Sequence, residues 1–199
     1  MNIFNAIKSN ELKEITKDLT EVAIDQMLNE GVLKDLPVVG TLYNIYSLSQ
    51  NISNAFFTKK IIKFLLELNE IPESDRLEFI QNMETEKETQ NVGEKILVIL
   101  NKFDDIDKAT ILGKIFKITI EGEIEVTTFM RLAYMIDKVY LQDLKELKNN
   151  DIDNLDSDAK HNLSQTGILN QSIKDNRQHE EYVFRNTGSR EFNPQNLSI

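Results

Sequence analysis

The sequence predicts a mainly α-helical protein, an antiparallel helical bundle followed by a small winged-helix-like α+β module. Apolar residues recur at helical spacing through most of residues 10–148. The chain contains only seven glycines and three prolines, the residues that most often interrupt helices. From residue 149 onward it is richer in polar residues and in residues that favour turns. We therefore expect a helical bundle over residues 1–148. Residues 149–199 should form a small module that packs on the bundle and ends in a loose tail.

The first half of the bundle is predicted to contain three helical segments. The first covers residues 10–30, where one apolar stripe recurs at helical spacing. The second covers residues 35–69, since Pro37 is tolerated in the first turn of a helix, with a break near residues 51–54 as the alternative to one continuous helix. A shorter helix follows over residues 73–83. Residues 84–90 are charged and lack apolar spacing, so we expect a solvated loop or a frayed helix end there.

The second half of the bundle requires one choice between helix and strand. Helices are predicted over residues 92–103 and 107–121, but residues 117–127 also resemble two strands around a glycine turn. A two-residue turn would place the apolar residues of the two strands on opposite faces, so a helix ending at Gly122 is preferred. One long helix over residues 126–148 then carries two apolar stripes, which predicts burial on two sides at the centre of the bundle.

The C-terminal module is predicted to combine a helix over residues 157–165 with strands over 168–173 and 182–184. Its apolar residues are too few for a module of about 50 residues to fold alone. We expect it to lean on the second stripe of the 126–148 helix. An isolated 150–199 fragment should be disordered, whereas a fragment ending near residue 149 should fold and associate.

Composition excludes several classes of function. The chain contains no cysteine, and its N-terminus lacks the basic flank and apolar core of a secretory signal, so we expect a cytoplasmic protein. Its longest apolar run, residues 96–100, is far too short to span a membrane. The 33 acidic and 23 basic residues give a net charge of −10, which disfavours binding to nucleic acid.

Motifs for catalysis or metal binding are not found in the sequence. A calcium-loop register around Gly122 places Lys117, Thr119 and Thr128 where carboxylates are required, so the glycine is interpreted as a helix C-cap. Neither of the two histidines lies in a metal-ligand pattern. There is no nucleophile elbow, phosphate-binding loop or dinucleotide fingerprint. We therefore predict a protein that is not an enzyme, with no cofactor and no catalytic or metal-ligating residue.

The candidate partner-binding site is an aromatic face of the second helical region. The apolar arc there is wider than a surface helix needs, and aromatic residues supply many binding hot spots. The candidate residues are Tyr43, Tyr46, Phe56 and Phe57. Self-association is the simplest use of this face, and a different protein partner is the alternative.

Lys59, Lys60 and Lys63 interrupt the apolar residues of the same region. We interpret them as the solvated edge of a core-facing helix. The alternative is a membrane-associating effector, in which residues 31–68 leave the bundle and contact a bilayer peripherally.

A winged-helix DNA-binding regulator is a further alternative. Residues 151–199 contain five basic and eight acidic residues, a net charge of −3, which argues against it. The phosphate contacts in that alternative would be Lys160, Lys174, Arg177, Arg185 and Arg190.

Two patterns in the second half of the chain resemble known families. The first runs from Gly93-Glu94 through Phe103-Asp104-Asp105 to Phe129-x-Arg131-Leu132, and it resembles a group of uncharacterised bacterial helical proteins found around mobile elements. The closing pattern is Leu163-x-x-Thr166-Gly167-Ile168-Leu169 followed by Tyr182-x-Phe184-x-x-Thr187-Gly188, and it resembles the end of that group and of the Abi-alpha abortive-infection family. The resemblance implies a winged-helix-like module and a setting in phage defence or counter-defence. It carries over no catalytic residue.

Overall fold

A computed structural model describes residues 3–9, 12, 54–83, 85–176 and 179–186 of the chain. The predicted helix over residues 10–30, the first part of the second helical region and the tail after residue 186 lie outside the described residues. The described part is mainly helical, as the sequence predicts. The chain divides into two compact units, Met1–Gly122 and Glu123–Ile199. This division lies upstream of the boundary predicted after residue 148.

The first unit contains five described helices. A short N-terminal helix is followed, beyond the undescribed segment, by four helices that alternate with short turns. Their bounds are α1 Ile3–Lys8, α2 Asn54–Leu66, α3 Glu73–Gln81, α4 Glu86–Lys102 and α5 Asp107–Ile120.

The core of the first unit is organised around the crossing of α2 and α5. Phe116 of α5 is fully buried, and its ring lies 5.6 Å from the ring of Phe64 and 5.6 Å from that of Phe79, centroid to centroid. The ring of Phe4 in α1 lies 6.1 Å from the same residue. These separations fall within the range in which aromatic pairs attract one another beyond their burial. Phe116 therefore joins α1, α2, α3 and α5 in one cluster.

Of the two alternatives predicted for residues 84–90, the solvated loop is wrong, because α4 begins at Glu86, whereas the frayed helix end stays a prediction. Polar side chains make hydrogen bonds along the N-terminal part of α4: Thr89 Oγ1 donates to the Thr85 carbonyl oxygen at 3.1 Å, and one turn later Gln90 Nε2 donates to Glu94 Oε1 at 2.9 Å. Pairs spaced by four residues stabilise a helix without any apolar stripe. The apolar spacing used for the prediction does not detect them.

The choice of helix over strand at residues 117–127 is confirmed. Helix α5 continues to Ile120, and Gly122 follows it with a φ of 78°. Its N–H donates to the Thr119 carbonyl oxygen at 3.1 Å, which satisfies one of the carbonyls left open at the helix end. Gly122 thus ends the helix in the left-handed conformation that glycine adopts without strain.

In the second unit, the predicted single helix over 126–148 is two helices, α6 Val126–Lys138 and α7 Leu141–Asn149. Val139 and Tyr140 between them have extended backbones, with ψ angles of 144° and 120°. The second predicted stripe of this helix consists of Met130, Tyr134 and Leu141, and its predicted burial is wrong for Tyr134, which is 64% exposed. In one straight helix, the apolar residues of both halves would face the same side. The break between α6 and α7 lets the apolar residues of α7 face a different side from those of α6.

The rest of the second unit follows the predicted order of a helix and two strands. A 3₁₀ turn over Ile152–Asn154 precedes α8 Ser157–Gln165, which Asp156 caps by accepting the Ala159 N–H at 2.7 Å. Two antiparallel strands follow, β1 Leu169–Asn176 and β2 His179–Asn186, with Leu169 opposite Asn186. Both strands are longer than predicted. The winged-helix assignment of this module stays a prediction.

Candidate interaction site

Of the four aromatic residues predicted to bind a partner, the structure describes Phe56 and Phe57. Tyr43 and Tyr46 lie outside the described residues. Phe56 and Phe57 lie in the first turn of α2, where Phe56 is 40% exposed and Phe57 is 4% exposed. Neighbouring positions on a helix point about 100° apart, so one ring faces outward while the next enters the core. Of the two described residues, Phe56 is the one available to a partner.

Lys60 lies one turn after Phe56 and is 2% exposed. Its Nζ donates to the carbonyl oxygens of Asn101 at 3.0 Å and Phe103 at 2.8 Å, at the C-terminal end of α4. The same Nζ lies 4.6 Å from the centroid of the Phe56 ring. An ammonium group at a helix C-terminus complements both the open carbonyls and the helix dipole. Lys60 thus fixes the end of α4 and holds a cation beside the exposed ring.

The turn between α4 and α5 places the carboxylate of Asp104 close enough to this lysine for the two charges to interact. Asp104 is 77% exposed in its side chain, and its Oδ1 accepts a hydrogen bond from Lys108 Nζ at 2.7 Å. Asp105 is exposed, and its Oδ1 accepts the Asp107 N–H at 2.8 Å. This second bond gives an acceptor to one of the N–H groups that the start of α5 leaves open. Hydrogen bonds from Lys108 and from the Asp107 N–H therefore hold this turn in place, and both of its carboxylates remain exposed to solvent.

The electrostatics of the cluster follow from these contacts. Burial lowers the pKa of Lys60 to about 8, while the charge of Asp104 opposes that shift. The hydrogen bond from Lys108 holds the pKa of Asp104 below its usual value. Both groups are therefore mainly charged at neutral pH. We call Phe56, Lys60, Asp104 and Asp105 the Phe56 site.

The expectation of a solvated lysine edge is wrong for Lys60, whereas Lys59 and Lys63 are half-buried. Sequence reasoning also missed Lys108, which is 2% exposed. A signal for Lys60 was present, because it lies four residues from both Phe56 and Phe64, along the apolar stripe of α2. The sequence does not show which carbonyl oxygens accept the hydrogen bonds of Lys60.

The chemistry open to the Phe56 site is noncovalent recognition. Its groups are an aromatic ring, an enclosed ammonium and carboxylates, and each charged group already has a structural partner. Within the described ranges, no group of three or more His, Cys, Asp or Glu side chains is arranged to hold a metal ion. The described helices also include none that is both long and apolar enough to cross a membrane.

Comparison of the chain with protein-family models, curated proteins and solved structures finds no match.

Proposed function

We propose that this chain is a non-catalytic protein-protein interaction or regulatory protein, and that the Phe56 site contacts its partner. The observation that carries the proposal is the 40% exposure of Phe56 at the start of a helix whose next apolar residues are buried. An exposed ring on a rigid helix loses little conformational entropy when it binds, which is a property of binding hot spots.

Charge indicates the kind of surface that fits. Asp104 and Asp105 present exposed carboxylates on the turn after α4, and the whole chain carries a net charge of −10. A partner with a shallow apolar pocket bordered by lysine or arginine would be complementary in shape and charge. A cytoplasmic role in phage defence or counter-defence is part of this proposal, and it rests only on the resemblance of the sequence patterns.

A matched pair of variants tests the proposal. Phe56→Ser removes the exposed ring, and Val98→Ser removes an apolar side chain of α4 that is also 40% exposed. We expect Phe56→Ser to weaken capture of the partner from a host lysate, or to dissociate a homodimer in light scattering, while Val98→Ser behaves as the wild type. Equal effects of the two substitutions would remove the Phe56 site from the proposal.

The membrane alternative requires α2 to leave the core. The apolar residues that it would insert are 0–4% exposed in the described structure: Phe57, Ile61, Ile62, Phe64 and Leu65. Flotation with liposomes that contain anionic lipid would support this alternative over a protein partner.

The DNA-binding alternative draws support from the order of a helix followed by a hairpin in the second unit. Lys160, one of its phosphate contacts, donates to the Asp153 carbonyl oxygen at 2.9 Å, so it already has a structural role. A tight complex with DNA that weakens steeply with salt would favour this alternative.

A further inference from the structure

The exposed face of α6 combines an aromatic ring with two cations. Arg131, Tyr134 and Lys138 are all exposed, and at 100° per residue their positions fall within an arc of about 60° of the helix. We call this surface the α6 face. The apolar residues that bury α6 lie on its opposite side: Phe129, Leu132, Ala133 and Ile136. Tyr134, which is 64% exposed, therefore contributes little to the core of its own unit.

Two contacts position Lys138 beside this ring. Its Nζ lies 2.9 Å from Asp137 Oδ2 and 5.8 Å from the centroid of the Tyr134 ring. The side chain of Asp137 is only 7% exposed, whereas that of Lys138 is 52% exposed. A partner therefore meets the ammonium and the ring more than the carboxylate that holds the ammonium. Because these groups are already positioned, less side-chain entropy is lost when a partner binds.

The residue types and spacing of the α6 face indicate what it would bind. Tyrosine and arginine are enriched in binding hot spots, and the guanidinium of Arg131 can take a carboxylate through two parallel hydrogen bonds. Arg131 and Lys138 are seven positions apart, which is about 10 Å along the helix axis, and Tyr134 lies between them. A second helix with two carboxylates seven positions apart, and an apolar residue between them, matches this face in charge and spacing.

The charge of the second unit decides between kinds of anionic partner. Residues 123–199 contain thirteen acidic and nine basic residues, and Glu123 and Glu125 are exposed just before the first turn of α6. A nucleic acid or an anionic membrane carries charge well beyond the α6 face, so these carboxylates would repel it. A short acidic helix carries its charge only where the face can pair with it. Charge therefore favours a protein partner.

We infer that the α6 face docks an acidic helix of a partner protein. Arg131 and Lys138 pair with two carboxylates of that helix, and the Tyr134 ring covers an apolar side chain between them. The α6 face is a different surface from the Phe56 site, so this inference does not depend on that site.

The experiment uses the full chain, isotope-labelled for NMR, and a synthetic alanine-rich helical peptide as the probe. The peptide carries two glutamates seven positions apart, with leucines three and four positions after the first glutamate. A control peptide has glutamine in place of both glutamates. The glutamate peptide should shift the amide signals of residues 127–138 and the Nε–H signal of Arg131. The glutamine peptide should bind at least about fivefold more weakly, since it loses both charge pairs.

Variants of the α6 face should weaken this binding. Tyr134→Gln keeps a good helix former but removes the ring, and it should raise the Kd about tenfold or more. An Arg131→Gln, Lys138→Gln double variant should raise the Kd by at least about fivefold, because it removes both cations. All three side chains are exposed, so circular dichroism should show the same helix content as the wild type.

Helix α4 supplies the matched control. Lys95, Val98 and Lys102 repeat the spacing of cation, apolar residue and cation at exposed positions, but no ring lies between the two lysines. A Lys95→Gln, Lys102→Gln double variant removes the same number of charges as the α6 double variant. It should leave the Kd of the glutamate peptide unchanged.

Three results would overturn the inference. The first is the absence of shifts in residues 127–138 with the glutamate peptide up to about 1 mM, a concentration that detects even weak binding. The second is an equal loss of binding in the α4 and α6 double variants, which would reduce the effect to overall charge. The third is tighter binding to a short oligothymidylate, or to vesicles of phosphatidylserine and phosphatidylcholine, which would assign the α6 face to a polyanion.

Discussion

A Cβ atom on Gly113 of α5 would lie 2.7 Å from the carbonyl oxygen of Phe64 in α2. That separation is shorter than any relaxed contact, and the obstacle is backbone. Gly113 therefore allows α2 and α5 to approach closely enough to form the Phe116 cluster. This pair of helices positions both Phe56 and Lys60.

Gly113→Ala should destabilise the protein by about 1–3 kcal/mol, because the helices must separate or distort to admit the methyl group. Urea denaturation followed by circular dichroism measures the change. Gly122→Asn is the matched control, since a side chain there meets nothing within 4 Å and asparagine tolerates its φ of 78°. A Gly113→Ala variant as stable as the wild type would mean that the close approach of α2 and α5 is not required.

Lys60 should give the free energy of unfolding a pH dependence in the alkaline range. The pKa of Lys60 is about 8 in the folded state, below its ordinary value of 10.5. Between these values the unfolded chain binds the proton more tightly, so stability should rise with pH relative to a Lys60→Met variant.

Denaturant titrations of wild type and Lys60→Met at several pH values from 7 to 10 measure this difference. Lys59→Met is the control, since Lys59 is half-buried on the same helix. A constant difference between wild type and Lys60→Met over the whole range would contradict the lowered pKa.

Asp104 should contribute stability that is lost in acid. Its pKa is held below the ordinary value by Lys108, so its contribution is fully present above the unfolded pKa of about 4 and disappears as pH falls through the folded value. Asp104→Asn should remove this part of the acid dependence, while Asp105→Asn should leave it. Thermal melts between neutral pH and pH 3 compare the three proteins. An unchanged acid dependence in Asp104→Asn would show that its pairing with Lys108 does not stabilise the fold.

The second unit should fold only when α6 and α7 are included. Asp143 of α7 is 7% exposed, and its Oδ2 accepts a hydrogen bond from Asn162 Nδ2 of α8 at 3.1 Å. A Cβ atom on Gly167 would lie 3.3 Å from the Met135 Cε atom of α6. A 123–199 fragment should therefore melt cooperatively, whereas the 150–199 fragment should be disordered. A cooperative melt of the 150–199 fragment would instead favour the domain boundary at residue 149.

The sequence by itself determined the helical class of the protein and many of its element ends. These features are local: apolar spacing specifies a helix over a few turns, and Gly122 and Gly167 take the positive φ angles with which helices end. The order of helix and two strands after residue 156 is readable for the same reason. The start of α4 at Glu86 was missed because residues 86–91 have no apolar spacing, which is the signal the prediction used.

Only the tertiary structure decided which charged residues are buried. Lys60 and Arg76 are buried because they donate hydrogen bonds to carbonyl oxygens that lie 41 to 69 positions away in the sequence. No local sequence pattern identifies such acceptors. The break at Val139 and Tyr140 was also decided by the tertiary structure, since a continuous apolar stripe fits one long helix as well as two short ones. Burial of a charge requires a specific partner in space, whereas a helix requires only its own neighbours along the chain.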